Sequence, residues 1–172
     1  MKEENVFLSN KLFNSMNTED VDRFLTCANP IIKTFSPGEI VLEQGAPVDH
    51  LLMLASGGIE LYKEDYEGNR SLVGSLTDGN TYGEQVIFGQ EGGNAFQLVA
   101  TTESKVVYID KDLFYRPCGK VCSSHQALIR NMLTLLAEQA NLLEKKITYL
   151  TAKSLRKKIS LYLWEEYLRN NR

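Results

Sequence analysis

The amino-acid sequence predicts a mainly β domain, an antiparallel sandwich or barrel with added helices, followed by a long helix. Two patterns carry this prediction. From about residue 35 to residue 109, short apolar stretches alternate with glycine-containing turns at a spacing of roughly 8 to 12 residues, as in antiparallel β proteins. From residue 129 to residue 150, apolar residues recur in alternating steps of four and three, which is the period of a helix.

The composition limits the class of protein. With 172 residues, 43% hydrophobic and 24% charged, the chain can bury one core and carry an appendage. No apolar run approaches the roughly 18 residues that a membrane span needs, and the beginning MKEEN is too charged for a signal peptide. Three cysteines, an odd number, suit a reducing compartment. We therefore expect a cytoplasmic protein without a membrane partner.

The charges are unevenly distributed along the chain. Residues 1–141 hold 11 Lys and Arg against 19 Asp and Glu, whereas residues 142–172 hold 8 against 3. The basic end either faces phosphate groups or is the solvated end of a helix. Its charges are widely spread, which slightly favours the second interpretation.

The β zone contains six stretches that read as strands: EIVLE, LLMLA, IELYKE, SLVGSL, FQLVAT and KVVYID. The segment EDYEGNRS is typical of a hairpin turn because Gly68 and Asn69 can adopt positive φ. Before the strands, NTEDVDRFLTCA has a capping residue at Asn17 or Thr18, acidic residues in its first turn and an apolar face. This segment therefore predicts a helix.

The long helix carries two apolar stripes. Its heptad seam consists of Ile129, Leu133, Leu136, Ala140, Leu143, Ile147 and Leu150. A helix of this length spans about 33 Å, longer than the covering of a small barrel requires. The adjacent stripe consists of Leu128, Met132, Leu135, Gln139 and Leu142. We expect one stripe to pack on the β domain and the seam to form a parallel homodimer, the alternative being one broad face buried within a monomer.

After Leu150 the chain continues as TAKSLRKKISLYLWEEYLRNNR. Ser154 can cap another helix, whose apolar face would consist of Leu155, Ile159, Tyr162, Leu163 and Tyr167. Since this face has no later partner in the sequence, we expect a truncated further domain at residues 152–172. The predicted organisation is then a sensing barrel with its N-terminal helix at residues 10–122, a dimerisation helix at residues 123–151, and that final segment.

The motifs SPGEIVLEQG, LASGG and YGEQVIFG, followed in order by the long helix and a basic helix start, resemble the Crp/Fnr family of bacterial transcription regulators. The resemblance runs from about Asn17 to Arg172, and its most specific parts are the seven-residue separation of Gly38 and Gly45 and the Tyr82-Gly83-Glu84 triplet. It implies a jelly-roll barrel of the cyclic-nucleotide-binding type, that is, a double-stranded β-helix. It also implies dimerisation through the long helix and a helix-turn-helix domain that follows, so that DNA would be contacted only through a domain missing from this chain.

The resemblance also implies where a ligand would bind. In members that bind cyclic nucleotides, a glutamate takes the ribose hydroxyl and an arginine pairs with the cyclic phosphate. Glu84 matches the glutamate, but Asn94 stands at the arginine position, with Ala95 next to it, and no Lys or Arg occurs between Arg70 and Lys105. A neutral amide offers no charge and no bidentate fork, and the lost pairing costs about 2–5 kcal/mol. We therefore predict that cyclic nucleotides do not bind tightly.

The predicted ligand-binding residues are Tyr82, Gly83, Glu84, Gln85, Asn94, Ala95, Phe96 and Gln139. The apolar lining that would surround them consists of Tyr82, Val86, Phe88 and Phe96. Such a lining suits an uncharged or weakly acidic effector, including an aromatic one. The alternative is that these aromatic side chains belong to the barrel core and fill the pocket themselves, and the sequence does not decide between the two.

Other chemistries find little support. A four-thiolate iron–sulfur cluster needs more than three cysteines, of which only Cys118 and Cys122 are close. His50, expected in a turn, and His125, at the helix start, are more typical of solvated or capping residues than of haem or metal ligands. No catalytic triad, P-loop or dinucleotide motif occurs. We expect no enzyme activity, metal or cofactor. The alternative function is a stand-alone binding or scaffold barrel, and the effector and operator stay open.

Overall fold

A computed structural model describes residues 7–8, 10–89, 93–116 and 123–170. The chain divides into two compact units, Met1–Met132 and Leu133–Arg172. The predicted mainly β architecture is confirmed for the first unit. Cys118, Cys122 and the predicted domain boundary at residue 122 lie outside the described residues, so those predictions stay open.

Eight strands form two four-stranded antiparallel sheets. Their bounds are β1 Ile31–Phe35, β2 Ile40–Leu42, β3 His50–Ser56, β4 Ile59–Glu64, β5 Arg70–Leu76, β6 Thr81–Tyr82, β7 Gln97–Ala100 and β8 Ser104–Asp110. One sheet has the order β1-β8-β3-β6 and the other β2-β7-β4-β5. All six predicted strands are present, although their ends differ by a few residues. Strands β1 and β6 were not predicted, since β1 shows no alternation of burial and β6 has only two residues.

The hairpin between β4 and β5 forms where it was predicted. Gly68 adopts a φ of 85°, which suits a residue without a Cβ atom. Asn69 contributes differently, because its backbone N–H and side-chain amide both donate to the carboxylate of Asp65. Asp65 therefore closes the turn in an Asx-type arrangement.

The predicted N-terminal helix is α1, Thr18–Ala28. Asn17 caps it by accepting a hydrogen bond from the backbone N–H of Asp20 at 2.8 Å, and Asp20 completes the capping box. A 3-10 turn, Lys11–Phe13, precedes it, and the Phe13 and Phe24 rings meet edge to face at 5.2 Å. These rings bury the apolar face that the sequence predicted.

Four further helices complete the described structure: α2 Glu84–Phe88, α3 Asp112–Tyr115, α4 Ser123–Thr151 and α5 Leu155–Asn170. The long helix is confirmed as α4. Ser154 caps α5 as predicted, since its hydroxyl accepts a hydrogen bond from the Lys157 N–H at 3.2 Å. None of the described helices is long and apolar enough to cross a bilayer.

The first turns of α4 are anchored within the first unit. Leu128 and Met132 of the predicted barrel-facing stripe are buried, and the Asn131 side chain donates to the backbone carbonyls of Leu12 and Asn14 at 2.9 and 2.8 Å. His125 is also buried, with its ring 6.2 Å from that of Phe24. The expectation of a solvated or capping histidine at this position is therefore wrong.

The second unit, by itself, leaves its apolar side chains open to solvent. Four of the heptad seam positions are more than half exposed: Leu133, Leu143, Ile147 and Leu150. In α5 the same holds for Leu155, Tyr162, Leu163, Trp164 and Tyr167. Large exposed apolar faces commonly mark interaction surfaces, so these faces are candidates for association.

Candidate ligand-binding site

The segment between β6 and β7 contains six of the eight predicted site residues, Gly83 to Gln85 and Asn94 to Phe96. Residues 84–88 of this segment form the short helix α2. Gly83 begins it with a φ of 105°, and a Cβ atom at Gly83 would lie 3.2 Å from Val48 Cγ1. The positive φ therefore favours glycine at this position, and a larger residue would also require Val48 to shift by a few tenths of an ångström.

Glu84 lies in the first turn of α2 and is buried, with 3% of its surface exposed. Its carboxylate accepts a hydrogen bond from the hydroxyl of Thr81, three residues earlier. Thr81 was not among the predicted site residues, although its spacing from Glu84 is a local signal that could have pointed to it. The carboxylate that the resemblance assigns to a ribose is thus held from within the chain.

Asn94 is the centre of a hydrogen-bond network, which we call the Asn94 network and which comprises Glu43, Tyr82, Asn94 and Phe96. The Asn94 side chain is buried, with 2% of the residue exposed. Its Nδ2 donates to the carbonyl of Glu43 at 2.9 Å and to the carbonyl of Phe96. Its Oδ1 accepts from the Tyr82 hydroxyl and, at 3.4 Å, from the Phe96 N–H.

The backbone of Asn94 also bonds to the loop after β2. Its carbonyl accepts a hydrogen bond from the Gly45 N–H at 2.7 Å, and its N–H donates to the Ala46 carbonyl at 3.0 Å. The loop after β2 and the segment before β7 are therefore joined by backbone and side-chain bonds at one residue. An asparagine side chain has two donors and two acceptor positions, and all four are used here.

Tyr82 contributes the hydroxyl of this network from strand β6. Burial of its ring, followed by the charge of Glu84, raises the pKa of Tyr82 to about 12. The phenol is therefore neutral near pH 7 and acts as a hydrogen-bond donor to Asn94.

The remaining predicted residues are placed differently. Gln85 and Ala95 are exposed, and Phe96 is half-buried. The Phe88 ring packs edge to face on Phe114 of α3, with a centroid distance of 5.3 Å, and so has a structural contact of its own. Gln139 is half-buried and belongs to the second unit, so its role in the site stays a prediction.

A surface cavity of about 650 Å³ lies beside the Asn94 network rather than within it. It is lined by Glu43, Gln44, Tyr62, Lys63, Glu64, Asp65, Tyr66, Arg70 and Gln97. Many of these polar groups already bind one another: Gln97 donates to the Glu43 carboxylate at 2.8 Å, and the Arg70 guanidinium lies 3.7 Å from the Tyr62 ring centroid. Glu43, which connects this cavity to Asn94, could not be predicted because 51 residues separate the two.

The described residues bring no group of three or more His, Cys, Asp or Glu side chains together in a way that could hold a metal ion. His50 does not lie in a turn, as expected, but begins β3, where it is half-buried. Its ring lies 6.2 Å from that of Tyr108 in an edge-to-face contact.

Residues 32–120 match the family model of the cyclic nucleotide-binding domain, and the chain belongs to this family. Over 87 residues it is 34% identical to a cAMP-dependent protein kinase regulatory subunit of Aspergillus fumigatus, covering 51% of this chain and 20% of that protein. Over 116 residues it is 25% identical to human cGMP-dependent protein kinase 2, covering 67% and 14%. The chain thus spans about a fifth or less of the length of these relatives.

Solved structures show the same fold. The catabolite activator protein of Thermus thermophilus superposes with a TM-score of 0.68 at 20% identity, covering 83% of this chain and 63% of that one. The sensor domain of the transcriptional regulator DNR from Pseudomonas aeruginosa gives 0.63 at 18%, covering 88% and 95%. A cyclic nucleotide-binding domain from Methylobacillus flagellatus gives 0.68 at 18%, covering 90% and 85%. The predicted jelly-roll fold followed by a long helix is confirmed.

Proposed function

We propose that this chain is the effector-sensing and dimerisation portion of a Crp/Fnr-type transcription regulator whose effector is not a cyclic nucleotide. The observation that carries this proposal is the burial and hydrogen bonding of the Asn94 side chain. At the position where the resemblance calls for an arginine, the chain has a neutral, buried amide whose hydrogen-bonding groups are all engaged by the protein.

The electrostatics of the site support the exclusion of a cyclic phosphate. A phosphate that enters a partly buried site loses water and needs a cation or several free donors in return. Residues 71–104 contain no Lys or Arg, and the acidic residue Glu84 is buried in the same segment. A cyclic phosphate in this segment therefore lacks the free energy that pairing with an arginine would contribute.

An effector of different chemistry suits the rim of the site. Tyr82, Val86 and Phe96 are half-buried and apolar or aromatic, and Gln85, which precedes Val86 in the chain, is an exposed polar residue. This combination fits an uncharged or weakly acidic molecule. Its binding would shift the population between two packings of α4 in a dimer and so position a following domain on DNA.

The exposed heptad seam supports the dimer part of the proposal. Leu143, Ile147 and Leu150 lie on one line of α4 and are 51%, 59% and 74% exposed in the single chain. Pairing two such lines about a two-fold axis removes both from water at once. Ala140, which is small, allows the two helices to approach most closely at the middle of the seam.

A second candidate function is a regulatory binding domain without a DNA-binding role. The curated relatives favour it, because they are named as a kinase regulatory subunit and a cyclic-nucleotide-dependent kinase rather than as transcription regulators. The reading frame beyond Arg172 distinguishes the two. A helix-turn-helix there supports the regulator, and a kinase or other catalytic domain supports the second candidate.

A thermal-shift screen tests the effector. The chain is heated with cyclic AMP, cyclic GMP, aromatic acids and fatty acids, each at the highest soluble concentration. A ligand present at one hundred times its dissociation constant adds about 2.7 kcal/mol of stability, which a melting curve resolves. Stabilisation by an aromatic or weakly acidic compound supports the proposal, whereas stabilisation by a cyclic nucleotide contradicts it.

A further inference from the structure

Hydrogen bonds among the protein's own groups organise the predicted ligand site. Three hydrogen bonds of Asn94 join segment 93–97 to loop 43–46, two more connect Asn94 to Phe96 within segment 93–97, and a sixth connects Asn94 to Tyr82. The Tyr82 hydroxyl is the only one of these groups that comes from strand β6. It therefore joins a third segment to the other two.

The hydroxyl of Tyr82 binds the side chain of Asn94 directly. It donates to Oδ1 of the residue that, according to the resemblance, would otherwise pair with a ligand phosphate. The phenol stays neutral to a pH far above neutrality because burial opposes its ionisation. Its hydrogen bond to Asn94 is thus present at every physiological pH and needs no outside partner.

We infer that Tyr82 is a positioning residue of the ligand site, which acts through Asn94 to hold loop 43–46 and segment 93–97 together. This inference goes beyond the proposed function, because it concerns hydrogen bonds within the chain and holds whatever the effector is.

Hydrogen–deuterium exchange of the ligand-free protein tests the inference at single amides. The reporting amides are Gly45, which donates to the Asn94 carbonyl, and Asn94, which donates to the Ala46 carbonyl. In the wild type we expect both to be protected. In Tyr82→Phe, which keeps the ring and removes only the hydroxyl, we expect both to exchange roughly fivefold faster, the effect of losing one neutral hydrogen bond.

Two controls separate this role from general loosening. The Leu54 amide donates to the Asn80 carbonyl at 2.9 Å and reports on the pairing of β3 with the β6 region, where Tyr82 itself lies. Its exchange should not change in Tyr82→Phe. Tyr108→Phe is the matched variant, since Tyr108 is also a half-buried tyrosine but lies in β8 outside the Asn94 network. It should leave Gly45 and Asn94 unchanged.

Three outcomes would overturn the inference: fast exchange of Gly45 and Asn94 in the wild type, equal rates in the wild type and Tyr82→Phe, or an equal acceleration at Leu54. Asn94→Ala gives a second, larger perturbation at the same two amides, and Tyr82→Phe keeps the test valid if that variant does not fold. Binding of a cyclic nucleotide would contradict the proposed function without changing these exchange rates in the ligand-free protein.

Discussion

At the scale of single residues, the site depends on one buried amide. Asn94 tolerates burial because groups from three separate segments meet its donors and acceptors. The sequence showed that residue 94 is neutral, and this is enough to predict the loss of phosphate binding. The sequence could not show that the Asn94 amide forms hydrogen bonds within the protein, because its partners Glu43 and Tyr82 lie 51 and 12 residues away and follow no periodic pattern.

Replacing Asn94 by alanine should therefore destabilise the fold. The change leaves the Tyr82 hydroxyl and the carbonyl of Glu43 without their partner, and each unsatisfied buried group costs about 1–3 kcal/mol. We expect a loss of roughly 2–4 kcal/mol in the free energy of unfolding, measured by urea denaturation. Gln85→Ala, an exposed position in the same segment, should change it by no more than about 0.5 kcal/mol. Equal effects of the two variants would show that the network contributes little.

The raised pKa of Tyr82 predicts a loss of stability at high pH. The folded-state pKa of about 12 lies above the ordinary value of 10.0, so the stabilisation is fully present below pH 10 and is lost as the pH rises towards 12. Two pKa units correspond to at most about 3 kcal/mol, less where solvent reaches the half-buried ring. The difference in unfolding free energy between wild type and Tyr82→Phe should shrink over this range. A difference that stays constant from pH 9 to pH 12 would contradict the burial of the phenol.

At the scale of elements, periodicity was the reliable signal. The heptad pattern predicted α4 and the capping residues predicted α1 and α5, because caps and apolar stripes are local features. The sequence missed α2, whose five residues are too short to show a helical period, and β6, which pairs over only two residues with β3. These two elements position Tyr82 and Glu84, so the part of the fold that shapes the site was the part least visible in the sequence.

The exposed seam of α4 gives a prediction about association. Leu136→Glu with Leu143→Glu places like charges opposite each other in a dimer core, which costs several kcal/mol. We expect a wild-type dimer at tens of micromolar and a monomeric or aggregation-prone double variant, measured by sedimentation equilibrium.

A matched control tests whether the seam itself is responsible. Thr134→Glu with Asn141→Glu adds the same charges to exposed positions of α4 outside the heptad seam and should leave the dimer intact. A wild-type monomer, or a seam variant that dimerises as the control does, would show that the seam does not form the dimer.

At the scale of the whole molecule, the charge distribution indicates which part of the chain could contact DNA. The fold is that of a cyclic nucleotide-binding domain. Residues 1–141 carry a net negative charge, and residues 142–172 carry a net positive charge. We predict that the 172-residue chain binds DNA weakly and without sequence preference, through these basic residues. Fluorescence anisotropy with two unrelated duplexes should show equal affinity that falls steeply between 50 and 200 mM salt. Nanomolar discrimination between the duplexes would contradict this.

The central proposal is that this chain has the fold of a cyclic nucleotide-binding domain but does not bind cyclic nucleotides tightly. Isothermal titration calorimetry of the folded chain with cyclic AMP and cyclic GMP tests it most directly. Asn94 offers neither a positive charge nor a free donor to a cyclic phosphate, and the missing pairing of about 2–5 kcal/mol weakens binding by thirtyfold or more. We predict no saturable heat with either nucleotide at concentrations up to a millimolar. A one-to-one binding curve with a micromolar dissociation constant for either nucleotide would contradict the account.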